Sequence, residues 1–351
     1  MNDASSESAV RVTMETASGY DSELWQQMSE MGVTGLIVGE EFGGSGVGPI
    51  ELEAIMEEVG AALLCSPLLA SSVVAVTLIN ALNNAELSER LLPKIASGEL
   101  IASAVITGDS GNWLPEGVAI DASLSNGQWR LTGKGNYVLH GQNANLLLVI
   151  ANAAEGLAVF EVEASSENLA IEPLPTFDRT LRLSSLNFNN TAATKIATET
   201  PVWQAVKQAL DFALVALAGE QAGGSQKVLD MTVEYAKTRV QFGRAIGSFQ
   251  AIKHMAADLL LETESAISAA RYAATCLAEN SEKSDQAVSL AAFACADAFT
   301  KITTDSIQMH GGIGFTWEHP AHLYLRRARA GAQLFGASEI HRENYLKALG
   351  A

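Results

Sequence analysis

Basic residues are scarce in this chain. It carries 22 Lys and Arg against 40 Asp and Glu, a net charge of −18 over 351 residues, and no Lys/Arg-rich run interrupts that balance. Such a chain repels phosphodiester backbones and anionic lipid surfaces, so nucleic acid and membrane are poor partners. Long apolar runs are missing as well. No stretch approaches the ~18 uninterrupted apolar residues that a spanning helix needs. The opening segment, MNDASSESAV, has no apolar core of a secretion signal, so cytoplasmic location is the default expectation. Cysteine is rare. Cys65, Cys276 and Cys295 lie scattered in apolar or helical segments. None forms a metal-type pair, so they read as buried thiols in a reducing compartment, with no metal site. Charged residues make up only 18%, which argues against long disordered stretches. What remains is 48% hydrophobic, ample for the cores of two or three packed domains. No G-x-G-x-x-G follows a strand, so a Rossmann cofactor site is unsupported. No internal repeat is present.

The order of textures sets the fold class. Residues 1–20 read as a loose tail. From Asp21 the run DSELWQQMSEM places Leu24, Trp25 and Met28 on one helical face. The glycine-rich stretch 32–46 reads as a loop, IELEAIMEEVGAALL as a second helix, and Leu82–Leu100 as two more short ones. Near residue 101 the pattern changes. Residues 127–133 alternate apolar and polar, and 145–151, 156–162 and 181–188 are short apolar runs with Gly/Asn punctuation, as strands are. Past Pro201 residues 202–240 form one long helix, with Leu210, Ala213, Leu214 and Leu217 on a common face. At least three more helices follow. Segregated blocks predict an α+β fold: an N-terminal helical domain over 1–100, a middle β-barrel-like or sandwich domain over 101–198, and a C-terminal four-helix bundle over 199–351.

Two segments carry a family resemblance. YAKTRVQFGRAIGSFQAIKH (235–254) and IQMHGGIGFTWEHPAHLYLRRA (307–328) are similar to the two signature stretches of the acyl-CoA dehydrogenase family. VGEEFGGSGVG (38–48), GQWRLTGKGNYVLHGQNAN (127–145) and PTFDRT (175–180) extend the likeness over nearly the whole chain. The resemblance implies FAD as cofactor and an acyl-CoA thioester as substrate. It also implies an electron-transfer flavoprotein or similar acceptor, and assembly as a tetramer, with itself or with a paralogous subunit. Arg239, whose planar fork suits phosphate oxygens, would reach the FAD of a neighbouring subunit; pairing with Glu234 or Asp258 is its ordinary alternative. Gln241, Phe242, Phe249 and Gln250 follow it. Gln308, Gly311 and Gly312 would complete the cradle, the glycines allowing close backbone approach. Tyr137 stands where the family usually has a Trp against the flavin ring, and Leu139 where it often has Ser or Thr near flavin N5. The family's loop touching flavin and acyl chain should fall at 104–112. There AVITGDSGN keeps only Thr107 and Asp109 as remnants.

The resemblance also exposes a gap. α,β-Dehydrogenation takes a proton from Cα, which needs a carboxylate within hydrogen-bond reach. The family keeps that Glu just before the turn that is Gly336-Ala337-Ser338 here, or on the long helix. Those positions hold Phe335 and Ala213. Asp211 points away from residue 213, Glu339 reads as a surface or subunit-contact residue, and Glu220 lies about 10 Å further along the helix, which makes it the fallback base. Arg327, where the family usually has Asp, reads as a changed subunit contact. Two functions stand open: an active dehydrogenase with a relocated base, or a base-less subunit that shares FAD with a catalytic partner in a hetero-oligomer, of the kind that acts on bulky steroid-side-chain thioesters.

Overall fold

A computed structural model describes residues 5–350. Helices occupy both ends of the chain and strands the middle. The N-terminal helices are α1 (Glu7–Thr13), α2 (Ser22–Glu30), α3 (Pro49–Ala61), α4 (Val76–Ala81) and α5 (Ala85–Ala96). The strands are β1 (Ala102–Val105), β2 (Ile120–Ser125), β3 (Gln128–Leu139), β4 (Leu146–Ala153), β5 (Gly156–Glu163), β6 (Leu169–Pro173) and β7 (Leu183–Ile196). After them come α6 (Val202–Thr238), a two-residue-per-arm hairpin β8 (Val240–Gln241) and β9 (Arg244–Ala245), then α7 (Gln250–Ala278), α8 (Ser284–His310), α9 (Ala321–Gly331) and α10 (Ser338–Ala348). Among the described residues no helix is long and apolar enough to cross a membrane. All three cysteines are buried thiols.

The chain forms two compact units. One holds residues 13–48 and 65–213, the other 1–12, 49–64 and 214–351. In the first, five strands close a ring: β4 pairs β5, β5 pairs β7, β7 pairs β3, β3 pairs β2, and β2 meets β4 at Asp121–Asn152. β1 runs parallel to β4 and β6 lies antiparallel on β7. Alternate residues point inward: Leu147, Val149 and Ala151 meet Ala158, Phe160 and Val162, with Leu131, Leu186 and Phe188 closing the core. Caps fix the helices of this unit where the sequence offers short polar residues. Asp21 Oδ1 accepts from Glu23 and Leu24 N–H (2.9 and 3.2 Å), and Asn84 Oδ1 from Leu87 N–H (3.0 Å).

Two expectations need correction. Residues 7–13 are helical, with Val10 and Met14 buried, so the segment is more than a tail. Its end is fastened where Arg182 donates to the Met14 and Thr16 carbonyls. Residues 82–100 hold one helix, α5; the other lies earlier, a π-helical turn over Leu69–Ala75 running into α4. Almost every side chain there is buried, so it has no polar face to give a period.

In the second unit α3 crosses α6 with backbones touching. A Cβ on Gly60 would lie 1.8 Å from the Glu220 carbonyl oxygen, and one on Gly223 would lie 1.8 Å from that of Glu57. Only glycine permits such an approach. The helices α7, α8, α9 and α10 pack in sequence around α8.

Candidate functional site

The helical unit gathers the cradle residues at the ends of α6 and α8. Tyr235, near the end of α6, stacks on His310 at the end of α8 (centroids 4.4 Å) and donates to its carbonyl oxygen (3.3 Å). That staple brings the two signature stretches together. Arg239 follows directly. Its guanidinium is exposed, with no hydrogen bond or ion pair among the described residues. Glu234, its expected alternative partner, is taken by Lys237 at 2.6 Å. Beyond it the β8–β9 turn presents Phe242, 92% exposed and held at φ +54°, an unusual conformation for a bulky residue. Phe249 meets Phe242 edge-on (6.2 Å), and the Arg244 guanidinium lies over its ring at 4.0 Å. Gln241 turns back on the Val240 carbonyl, and Gln250 opens α7 with its amide 3.4 Å from His254.

At the end of α8 Gln308 is exposed and Gly311 takes φ +65°, ψ −143°, a region open in practice to glycine alone. A Cβ on Gly311 or Gly312 would meet nothing within 4 Å, so the backbone there is open to close approach, while the Gly311 N–H caps α8 on the Ile307 and Gln308 carbonyls. An uncommitted guanidinium, a glycine backbone open to close approach and exposed aromatic faces suit a dinucleotide's phosphates and rings.

The barrel unit carries the other predicted wall. Tyr137 sits at φ +55° in a register shift of β3 against β7, about a third exposed. Leu139 is buried, its carbonyl accepting from Ser103. The altered loop packs under Tyr137: a Cβ on Gly111 would lie 3.3 Å from the ring. Thr107 is buried and donates to the Asn112 carbonyl (2.7 Å), while Asp109 pairs with Lys134 (2.8 Å). The residue missed from the sequence is Asn136. It gives its backbone N–H to Thr107 and its amide to Asp109, both at 2.8 Å, and so ties the loop to the strand. Its place beside a bulge left no periodic signal.

The two positions expected from the sequence to hold a base are apolar inside the fold. Ala213 is fully buried. Phe335 is 5% exposed at φ +62°, followed by Gly336 at φ +120°. Glu220, the fallback acid, is buried and accepts from Arg327 Nη1 at 2.8 Å, and Arg327 Nη2 donates to the Leu64 carbonyl (3.2 Å). Arg327 is therefore an internal counter-ion joining α9 to α6 and the end of α3, which corrects its reading as a subunit contact. Asp211 pairs with Lys207 (2.7 Å) and Glu339 is exposed. The described residues contain no group of three or more His, Cys, Asp or Glu able to hold a metal.

Comparison with known proteins accords with this architecture. The acyl-CoA dehydrogenase N-terminal domain family matches residues 5–99, and the acyl-CoA dehydrogenase C-terminal domain family matches residues 203–350. The chain is 32% identical over 329 residues to acyl-CoA dehydrogenase IpdE2 of Mycolicibacterium smegmatis, covering 93% of this chain and 88% of that one. It is 33% identical to acyl-CoA dehydrogenase IpdE2 of Mycobacterium tuberculosis over 93% of this chain and 86% of that one. Among solved structures, the ChsE4-ChsE5 complex from Mycobacterium tuberculosis superposes with a TM-score of 0.90 at 27% identity, over 99% of this chain and 94% of that chain. A variant of the Tcur3481-Tcur3483 steroid ACAD gives 0.88 at 26% identity, with the same coverage. The chain thus belongs to the acyl-CoA dehydrogenase family.

Proposed function

We propose that this chain is the base-less, FAD-sharing subunit of a hetero-oligomeric acyl-CoA dehydrogenase that oxidises a bulky, steroid-type acyl-CoA thioester. The observation that carries the reading is the chemistry of the base positions. Ala213 and Phe335 cannot accept a proton, and Glu220, the nearest buried acid on α6, is held by Arg327. That carboxylate is committed to a buried ion pair. The residues proposed for a cradle are, by contrast, present. Arg239, Gln308 and the open backbone at Gly311-Gly312 suit the pyrophosphate and adenosine of FAD, and Phe242 offers a ring face beside them. Bound FAD would supply the hydride acceptor for the substrate's Cβ. The Cα proton would go to a carboxylate of a paralogous subunit, and this chain's part is to complete that partner's flavin site. The named assemblies among the relatives, ChsE4-ChsE5 and the Tcur3481-Tcur3483 steroid ACAD, favour both the hetero-oligomer and the steroid class.

Anaerobic titration with acyl-CoA tests the reading. A positioned general base contributes roughly 10²–10⁴-fold in rate, so the chain alone should bleach flavin slowly or not at all. Together with its paralogue, it should show reduction in at most half the flavin sites. In that complex Arg239→Ala should lower FAD retention well beyond Arg244→Ala, since Arg244 is engaged with Phe249. Rapid bleaching by the unmodified chain alone would overturn the assignment and point to a stand-alone enzyme with a relocated base.

A further inference from the structure

Away from the cradle, one ionisable side chain is sealed inside the helical unit. Glu53 lies on the inner face of α3, 2% exposed, and its Oε1 has no hydrogen-bond partner. Toward α6 it meets bare backbone, its Cγ 3.2 Å from where a Cβ on Gly219 would sit. Toward α8 it acts on Cys295, a thiol raised by burial and further by Glu53. One turn along α3 is Glu57, within hydrogen-bond reach of Glu53. Glu57 in turn takes two 3.0 Å bonds from Arg271 on α7. Among the described residues, Glu57, Cys295 and Arg271 are thus the titratable groups that act on Glu53.

A buried carboxylate without a partner is costly, and two carboxylates in contact hold a proton between them. Burial first, then the charge of Glu57, pushes Glu53 up from 4.5 to about 8, while Arg271 pulls it down by less. At neutral pH Glu53 is therefore mostly the neutral acid, able to donate to Glu57.

We propose that Glu53, Glu57 and Arg271 form a proton-dependent latch between α3 and α7. With its proton, Glu53 donates to Glu57, which grips Arg271. Without it, two carboxylates oppose each other beside the α3–α6 crossing, and α3 loosens. The direction follows from linkage. Glu53 loses its proton near 4.5 in the unfolded chain and near 8 in the folded one. The contribution is complete below the lower value, falls as pH rises between them, and is flat above the upper one. One linked proton changes the folding constant by up to about tenfold per pH unit in that window.

The test is urea denaturation of the full chain from about pH 6.5 to 9, above the range in which the buried histidines take up protons, with hydrogen exchange read on the α3 amides. Wild type should lose up to about tenfold in folding constant per unit as pH rises toward 8, with α3 amides opening in parallel. Glu53→Gln, which keeps a donor but cannot titrate, should remove that slope. An equal slope in both proteins overturns the latch. Glu57→Gln provides a second arm, readable even if Glu53→Gln fails to fold. Removing the like charge should move the wild-type transition to lower pH, and an unmoved transition also counts against the proposal.

Discussion

At the scale of single residues, the Glu220–Arg327 ion pair is deeply buried, its side chains only 5% and 4% exposed. Buried pairs are fragile to the loss of one member, since the survivor is left charged and dry. Glu220→Leu alone should therefore cost about 3–5 kcal/mol in urea denaturation. Adding Arg327→Met should recover most of that loss, because an apolar pair of similar volume removes both desolvation terms. A double variant no more stable than the single one would show that Arg327 contributes chiefly through the Leu64 carbonyl. This partnership was hidden in the sequence. The two residues are more than 100 positions apart, and neither alone signals the other. The positions proposed for a base, Phe335 and Ala213, were reached by counting along the chain from the glycine motifs, and both side chains are buried and apolar. What the motifs could not convey is the left-handed backbone at Phe335 and at Tyr137. Those conformations arise from the turn and bulge around them.

At the scale of elements, legibility followed amphipathicity. α2, α3 and α6 alternate buried and exposed faces and were readable. The stretch 69–81 was not, because it is sealed on every side. β1 and β6 were missed because four or five residues give too little period to register. Glycine is where element packing makes its sharpest demand. Gly60 and Gly312 are both glycines of one unit, yet they answer to different constraints. Gly60→Ala should destabilise the fold by about 1–3 kcal/mol or more, since its Cβ meets the α6 backbone. Gly312→Ala should leave stability within about 0.5 kcal/mol, as nothing lies near. It should instead lower FAD retention in the assembled complex. Thermal melts and flavin content of the two variants separate packing from cradle, and Gly312→Ala that retains flavin normally would remove Gly312 from the proposed site.

At the scale of the molecule, pH acts from both sides. Burial holds His310, His319, His322 and His341 below the usual histidine range. His319 also feels the neighbouring His310 ring, 4.3 Å away. These groups take up protons more readily when unfolded, so their stabilisation is intact above about 6.5 and drains away as pH falls below it. Stability should thus peak near neutrality, with the acid limb set by the histidines. His310→Gln should make that limb shallower without touching the alkaline one, which thermal melts across pH will show. The path of the chain has its own consequence. It leaves the helical unit after residue 12, returns for 49–64, and leaves again until residue 214. On the ribosome, α3 therefore emerges about 150 residues before the helix that covers its glycine face. At about 5–20 residues per second, that is a wait on the order of ten seconds or more with an apolar helix uncovered. Meanwhile the barrel unit is complete in itself once residue 213 has emerged. A nascent chain stalled near that point should hold a folded barrel with α3 still accessible to protease, and chaperone demand should concentrate on those thirteen residues.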